Sequence, residues 1–179
     1  IDWNSVTKNN LATFYYVLNP ATNSYVANNG SSKISSGQAF FVQAIGANPS
    51  ITFKESSKSI TDANGLFKTI AAPFQIEIRK DSLNADLAWL NIDNNASRNY
   101  NPAEDALKFY NATINLSFMS DDGVMQQYLS TPVNTTIDTF KLDLQAPTGT
   151  YVLNFSNALS LPTNNGAYFI DKYTQSVIN

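Results

Sequence analysis

The sequence predicts an all-β protein built as antiparallel β-sandwich or jelly-roll-like modules. Three observations carry that expectation. Apolar residues alternate at period two in short runs, as in Phe74, Ile76 and Ile78 or Ile114, Leu116 and Phe118, which turns one face of each run inward. Turn signals such as Asn28-Asn29-Gly30, Asp121-Asp122-Gly123 and Pro147-Thr148-Gly149 recur between the runs. The polar surface is made of amides and hydroxyls, with 23 Asn, 18 Ser and 15 Thr against a charged fraction of 14%. Such side chains suit turns and strand faces and disfavour long exposed helices.

In chain order, Thr13-Phe14-Tyr15-Tyr16-Val17-Leu18 is aromatic and β-branched and reads as a strand, turned by Asn19-Pro20-Ala21-Thr22-Asn23. Ser24 to Ala27 returns. The apolar run Ala39-Phe40-Phe41-Val42 predicts a strand buried on both faces, and Ile51-Thr52-Phe53 a short strand after Asn48-Pro49-Ser50. Together these predict a partial N-terminal β domain over residues 1–60. Glu55 to Gly65 is polar and aperiodic and reads as a linker or a long connection.

Residues 66–179 predict a second, sandwich-like domain. Phe74 to Arg79 and Asp86 to Ile92 are strands, the latter carrying Trp89. Asp93-Asn94-Asn95 opens a long loop, and Asn101 to Lys108 has room for one helical turn. Strands then follow at Ile114–Phe118, Val124–Leu129 and Ile137–Leu144, with Phe140, Leu142 and Leu144 inward. Tyr151, Leu153 and Phe155 share a face of the next strand, and Ala167 to Ile170 leads into a last hairpin turned by Asp171-Lys172-Tyr173-Thr174. This half thus holds about eight short strands.

Composition excludes several function classes. There is no Cys and no His, so disulfides, thiolate nucleophiles, Ser-His-Asp triads and Cys- or His-based metal sites are absent. Carboxylate, Tyr or Lys chemistry and oxygen-ligated hard cations remain. A net charge of −3 gives no footprint for nucleic acid, and no apolar run is long enough for a membrane span. The first residues, Ile1-Asp2-Trp3, carry no initiator Met and no signal peptide, so the chain reads as a piece of something longer.

The candidate sites each have a plainer reading. Asp121-Asp122-Gly123 and Asp93-Asn94-Asn95 offer oxygen ligands but lack the alternating ligands and distal carboxylate of a calcium loop, which favours turn chemistry. Glu104-Asp105 offers carboxylates for glycoside hydrolysis, yet adjacent side chains diverge. Trp3, Tyr15, Tyr16, Tyr25, Trp89 and Tyr100 are candidates for a sugar-stacking platform, although aromatics of strands are mostly core. Six Asn-x-Ser/Thr triplets, including those at Asn111 and Asn115, are expected by chance in a chain this rich in Asn. No catalytic, cofactor or metal residue is assigned.

The series Trp89-Leu90-Asn91-Ile92, Glu104-Asp105-Ala106-Leu107-Lys108, Gly149-Thr150-Tyr151 and Tyr168-Phe169-Ile170-Asp171-Lys172 resembles a module of Bacteroidetes surface proteins that precedes their C-terminal type IX secretion sorting domain. Ile1-Asp2-Trp3 and Gly37-Gln38-Ala39-Phe40-Phe41-Val42 match, in order, the segment that precedes that module. The family's leading Pro-rich run is missing here, and no sorting domain follows Asn179, as expected of a fragment. The resemblance implies an extracellular, surface location and export through the type IX translocon and attachment machinery. It implies no catalytic residue and no cofactor.

The expected function is therefore that of a non-catalytic module, a spacer or adhesin region. The alternative is a carbohydrate-binding module, with glycans or cell-surface proteins as partners. Proteins of the resembled class are O-glycosylated at Asp-Ser or Asp-Thr followed by a hydrophobic residue. By that resemblance Asp81-Ser82-Leu83 marks Ser82, on a predicted exposed loop, and Asp138-Thr139-Phe140 marks Thr139, in a predicted strand and less accessible. The alternative for Ser82 is a plain turn.

Overall fold

A computed structural model describes residues 1–29, 33–59, 73–133, 138–161 and 167–178. The fold is all-β and sandwich-like. Most of the expected linker, from residue 60 onward, lies outside the described residues.

The N-terminal strands are β1 (Thr7–Asn9), β2 (Leu11–Asn19), β3 (Ser24–Asn28), β4 (Phe41–Ala44) and β5 (Ser50–Thr52). β1 pairs with β5, while β2 sits between β3 and β4 in an antiparallel three-stranded sheet. Alternation along β2 sends Tyr15 and Val17 to one side, where they join Trp3, Val6 and Ile34 in a core. Phe14 and Tyr16 point to the other side and are buried too. The strand covered on both faces is thus β2. The run Ala39–Val42, expected to be doubly buried, begins an edge strand with Phe41 47% exposed. β2 has a cluster packed on each of its faces, whereas Phe41 of β4 touches the rings of Tyr25 and Phe109 and stays exposed.

The second group comprises β6 (Phe74–Arg79), β7 (Ala85–Ile92), β8 (Ala106–Leu107), β9 (Asn115–Met119), β10 (Met125–Thr131), β11 (Lys141–Gln145) and β12 (Val152–Ser156). They form one sheet in the order β11-β9-β10-β7-β6-β12, with β8 also on β10. The sheet is mixed, because β10 runs parallel to β7. It curls over its own core: Leu142 of edge strand β11 and Leu153 of the opposite edge strand β12 pack on the same cluster as Ile76, Ile78, Leu90, Leu116 and Phe118. Period-two alternation in β6 and β9 accounts for that cluster. At the rims the pattern fades, and Leu144 and Phe155 are exposed.

Between β7 and β9, the expected helical turn is a single one. The Asn101 carbonyl accepts the Glu104 and Asp105 N–H groups, after which the chain enters β8. The last hairpin, β13 (Phe169–Asp171) with β14 (Ser176–Ile178), forms where expected, its tip tied by Asp171 accepting from Tyr173 and Thr174. Asn substitutes for Gly in several turns: Asn10, Asn23, Asn48 and Asn157 all adopt positive φ, a region their short polar side chain tolerates.

Candidate functional site

Two arrangements stand out from the fold: a polar and aromatic seam between the two groups of strands, and a fully buried ion pair.

The seam begins with an edge. β3 is the outer strand of its sheet, so the Tyr25 N–H, the Tyr25 carbonyl and the Ala27 N–H face away from β2. Side-chain amides from the second group occupy all three. Asn111 Oδ1 accepts the Tyr25 N–H at 2.9 Å, Gln127 Oε1 accepts the Ala27 N–H at 3.1 Å, and Gln127 Nε2 donates to the Tyr25 carbonyl at 2.5 Å. Gln127 lies where the pairing of β10 with β8 shifts register, between Gln126 and Tyr128. Asn111 is itself fixed, donating to the Ile114 carbonyl at 3.0 Å and giving its N–H to Asn115 Oδ1 at 2.6 Å.

Around this polar strip, backbone and rings close the joint. The Thr13 N–H donates to the Pro102 carbonyl at 3.2 Å and the Ala85 N–H to the Thr22 carbonyl at 3.3 Å. The hydroxyls of Tyr16 and Tyr100 donate to the Leu107 carbonyl (3.0 Å) and Gln43 Oε1 (2.9 Å). Phe109 lies against Tyr16, Tyr25 and Phe41, and Phe14 against Tyr128. Burial pushes the Tyr128 hydroxyl up to about 12, so it stays neutral at any ordinary pH.

The ion pair joins Asp86 of β7 to Lys108, just past β8. Both side chains are 0% exposed, and Lys108 Nζ donates to Asp86 Oδ2 at 2.5 Å. The Leu116 N–H donates to the same oxygen at 2.6 Å, while Oδ1 has no partner. Burial pushes the Asp86 carboxyl up and the Lys108 ammonium down, against their mutual attraction. Sequence reasoning passed over this pair. One signal was present: Asp86 has the parity of Ala88 and Leu90 and so belongs to the inward face of its strand.

Of the sequence candidates, Trp3 is wholly buried, its indole N–H donating to the Thr13 carbonyl at 2.7 Å, with Lys8 over the ring at 4.6 Å. Tyr15 and Tyr16 are also buried, and Tyr25, Trp89 and Tyr100 are half-buried. Asp121 pairs with Arg98, and Asp122 accepts from the Ser120 hydroxyl and the Tyr100 N–H. Glu104 accepts the Ser97 N–H, whereas Asp105 turns inward and accepts the Asn101 and Ser130 N–H groups at 2.7 Å each. The two carboxylates diverge. Among the described residues no cluster of three or more acidic side chains is placed to hold a metal ion, and no helix is long and apolar enough to cross a membrane.

Ser82 is exposed in the turn between β6 and β7, beside Leu83 at 64% exposure. Asp81 shapes that turn by accepting the Leu83 and Asn84 N–H groups, both at 2.9 Å. Thr139 lies outside the strand expected to contain it. β11 starts at Lys141, and Thr139 is exposed with its N–H on Asp138 Oδ1. No protein-family model, curated protein or solved structure matches the chain.

Proposed function

We propose that the chain is a non-catalytic β module of a large surface protein exported by the type IX route, acting as a spacer or adhesin segment near the sorting domain. The observation that carries this reading is the ordered series of motifs from Ile1-Asp2-Trp3 to Tyr168-Phe169-Ile170-Asp171-Lys172. The positions of those motifs support it further. Trp3 and Leu90 are core residues, Ala106 lies in the seam, and Gly37 turns the chain at φ +75°. Motifs that include core and turn positions suit a part whose task is to hold shape.

The seam fits a load-bearing role. Side-chain amides on a strand edge, flanked by interlocked rings, couple two sheets with bonds that must break together before either half swings free. On this reading the working surroundings are extracellular, and the partners during export are the translocon and attachment machinery. The test is the parent gene and its product. The reading requires a sorting domain encoded after Asn179, and surface proteolysis of intact cells that removes the module. A gene ending at Asn179, or a module protected inside intact cells, overturns it.

A further inference from the structure

Among the described residues, Asp86 and Lys108 form the one oppositely charged pair with both side chains fully shielded from water. A lone buried ion pair is a poor stabiliser, because removing two charges from water offsets most of their attraction. This one also leaves Asp86 Oδ1 without any partner at 0% exposure, a further cost. We infer that Asp86 and Lys108 are the reactive pair of a self-forming amide cross-link, in which the Lys108 amine condenses with the Asp86 carboxyl and water leaves.

The geometry supplies the approach of the two groups and a donor for the developing charge. With Nζ 2.5 Å from Oδ2, the nitrogen stands roughly 3–3.5 Å from the carboxyl carbon, the reach of a near-attack arrangement. One proton passes from Nζ to the carboxylate through its contact with Oδ2 and comes to rest on Oδ1, which converts the ion pair into a neutral amine and a neutral acid. Burial favours that exchange on both sides, raising the acid and lowering the ammonium. The nitrogen lone pair then forms the N–C bond, and the carbonyl π electrons move onto Oδ2. The Leu116 N–H, 2.6 Å from Oδ2, is aimed at that developing charge. Collapse of the tetrahedral centre breaks the bond to Oδ1. That oxygen leaves as water, carrying the acid proton and one proton from nitrogen. Carboxylic acid and amine become amide and water, with no oxidant or co-reactant.

The product resolves what the pair leaves open. Both charges vanish, Oδ2 keeps the Leu116 N–H as an amide carbonyl, and the partnerless Oδ1 is gone. The link ties β7 to the segment between β8 and β9, covalently closing a loop within the sheet. This inference is independent of the secretion route.

Denaturing intact-mass measurement of the full chain tests it. The expected mass is about 18 Da below that of the sequence, one water per cross-link. Tryptic digestion should then yield a branched species joining residues 81–98 to 99–141, because a Lys108 carrying an amide is not cut. Recovery of the full sequence mass overturns the inference. So does a water loss accompanied by a free linear 81–98 peptide, which would place a cyclic imide elsewhere, for example at Asp122-Gly123. Lys108→Arg, whose guanidinium is not a nucleophile here, should restore the full mass; water loss persisting in that variant also overturns it. The wild-type measurement decides the matter even if the variant folds poorly.

Discussion

Gln127 Nε2 donates to the Tyr25 carbonyl across 102 positions of sequence, while Oε1 of the same side chain accepts the Ala27 N–H. One amide thereby imitates a neighbouring strand at the edge of β3. Gln127→Ala leaves a donor and an acceptor without partners where the Gln127 side chain was fully buried. We expect a loss of about 2–3 kcal/mol in urea unfolding and faster hydrogen exchange at the Ala27 amide. Gln127→Glu separates the two bonds, since a carboxylate still accepts from Ala27 but repels the Tyr25 carbonyl. Unchanged exchange at Ala27 in Gln127→Ala would mean that this seam bond contributes nothing.

Arg98 clamps the long loop after β7. Its guanidinium meets Asp138 through two N–H donors, at 2.8 and 3.2 Å, and Asp121 through Nε at 2.8 Å. The two carboxylates hold its ionisation far above the ordinary range. Because Arg98 and Asp121 are partly exposed, at 26% and 56%, solvent screening limits the gain. Arg98→Lys should cost about 1 kcal/mol, since a point charge cannot reproduce the planar fork. A double-mutant cycle with Asp138→Asn should show coupling. Simple additivity would mean that the contact is incidental.

Asp105 makes stability depend on pH in the direction opposite to most acids. Burial pushes its carboxyl up to about 6, against the N–H groups of Ser130 and Asn101 that favour the ionised form. With the folded value above the unfolded one, the native state holds the proton more tightly. Its contribution is complete below the unfolded value and is lost as pH rises through about 6. Relative to Asp105→Asn, the wild type should lose about 2 kcal/mol between pH 4.5 and pH 7. Asp81 and Asp122, held low by their hydrogen bonds, act in the reverse sense at lower pH, so the comparison with the variant is needed. A carboxyl-carbon NMR titration of Asp105 with its midpoint near 4 would remove the basis for this expectation.

Much of the architecture was legible because alternation is a local property. Phe74, Ile76 and Ile78 read as one inward face and are buried as one, and the hairpin ending at Ile178 was announced by its turn. Pairing across the chain was not legible. Nothing local in β7 or β10 says that they run parallel, and the register shift between Gln126 and Tyr128 breaks the parity within one strand. The doubly covered strand was misplaced for a related reason. Both Phe14–Leu18 and Ala39–Val42 are apolar runs, and only their positions in the sheet separate them. The seam was hidden because it is written in Asn and Gln, which in this chain are also the ordinary material of turns.

An O-linked glycan is expected on Ser82 in a type IX-exporting host. That expectation rests on the resemblance of Asp81-Ser82-Leu83 to the sites modified in that class of protein, and the local geometry suits it. Ser82 is exposed at the apex of the turn between β6 and β7, and Asp81 already holds the turn through the Leu83 and Asn84 N–H groups. A transferase therefore meets a shaped, open turn, and a bulky sugar there displaces no packing. Thr139 is also exposed, but its neighbour Phe140 packs on the core of the sheet, so a transferase that must grip the residue after the acceptor is hindered there. Ser82 should accordingly be occupied before Thr139. Peptide mapping of protein from the native host should find a hexose-containing mass on the 81–98 peptide that Ser82→Ala removes. A fully unmodified peptide at that site would leave Asp81-Ser82 as a turn and nothing more.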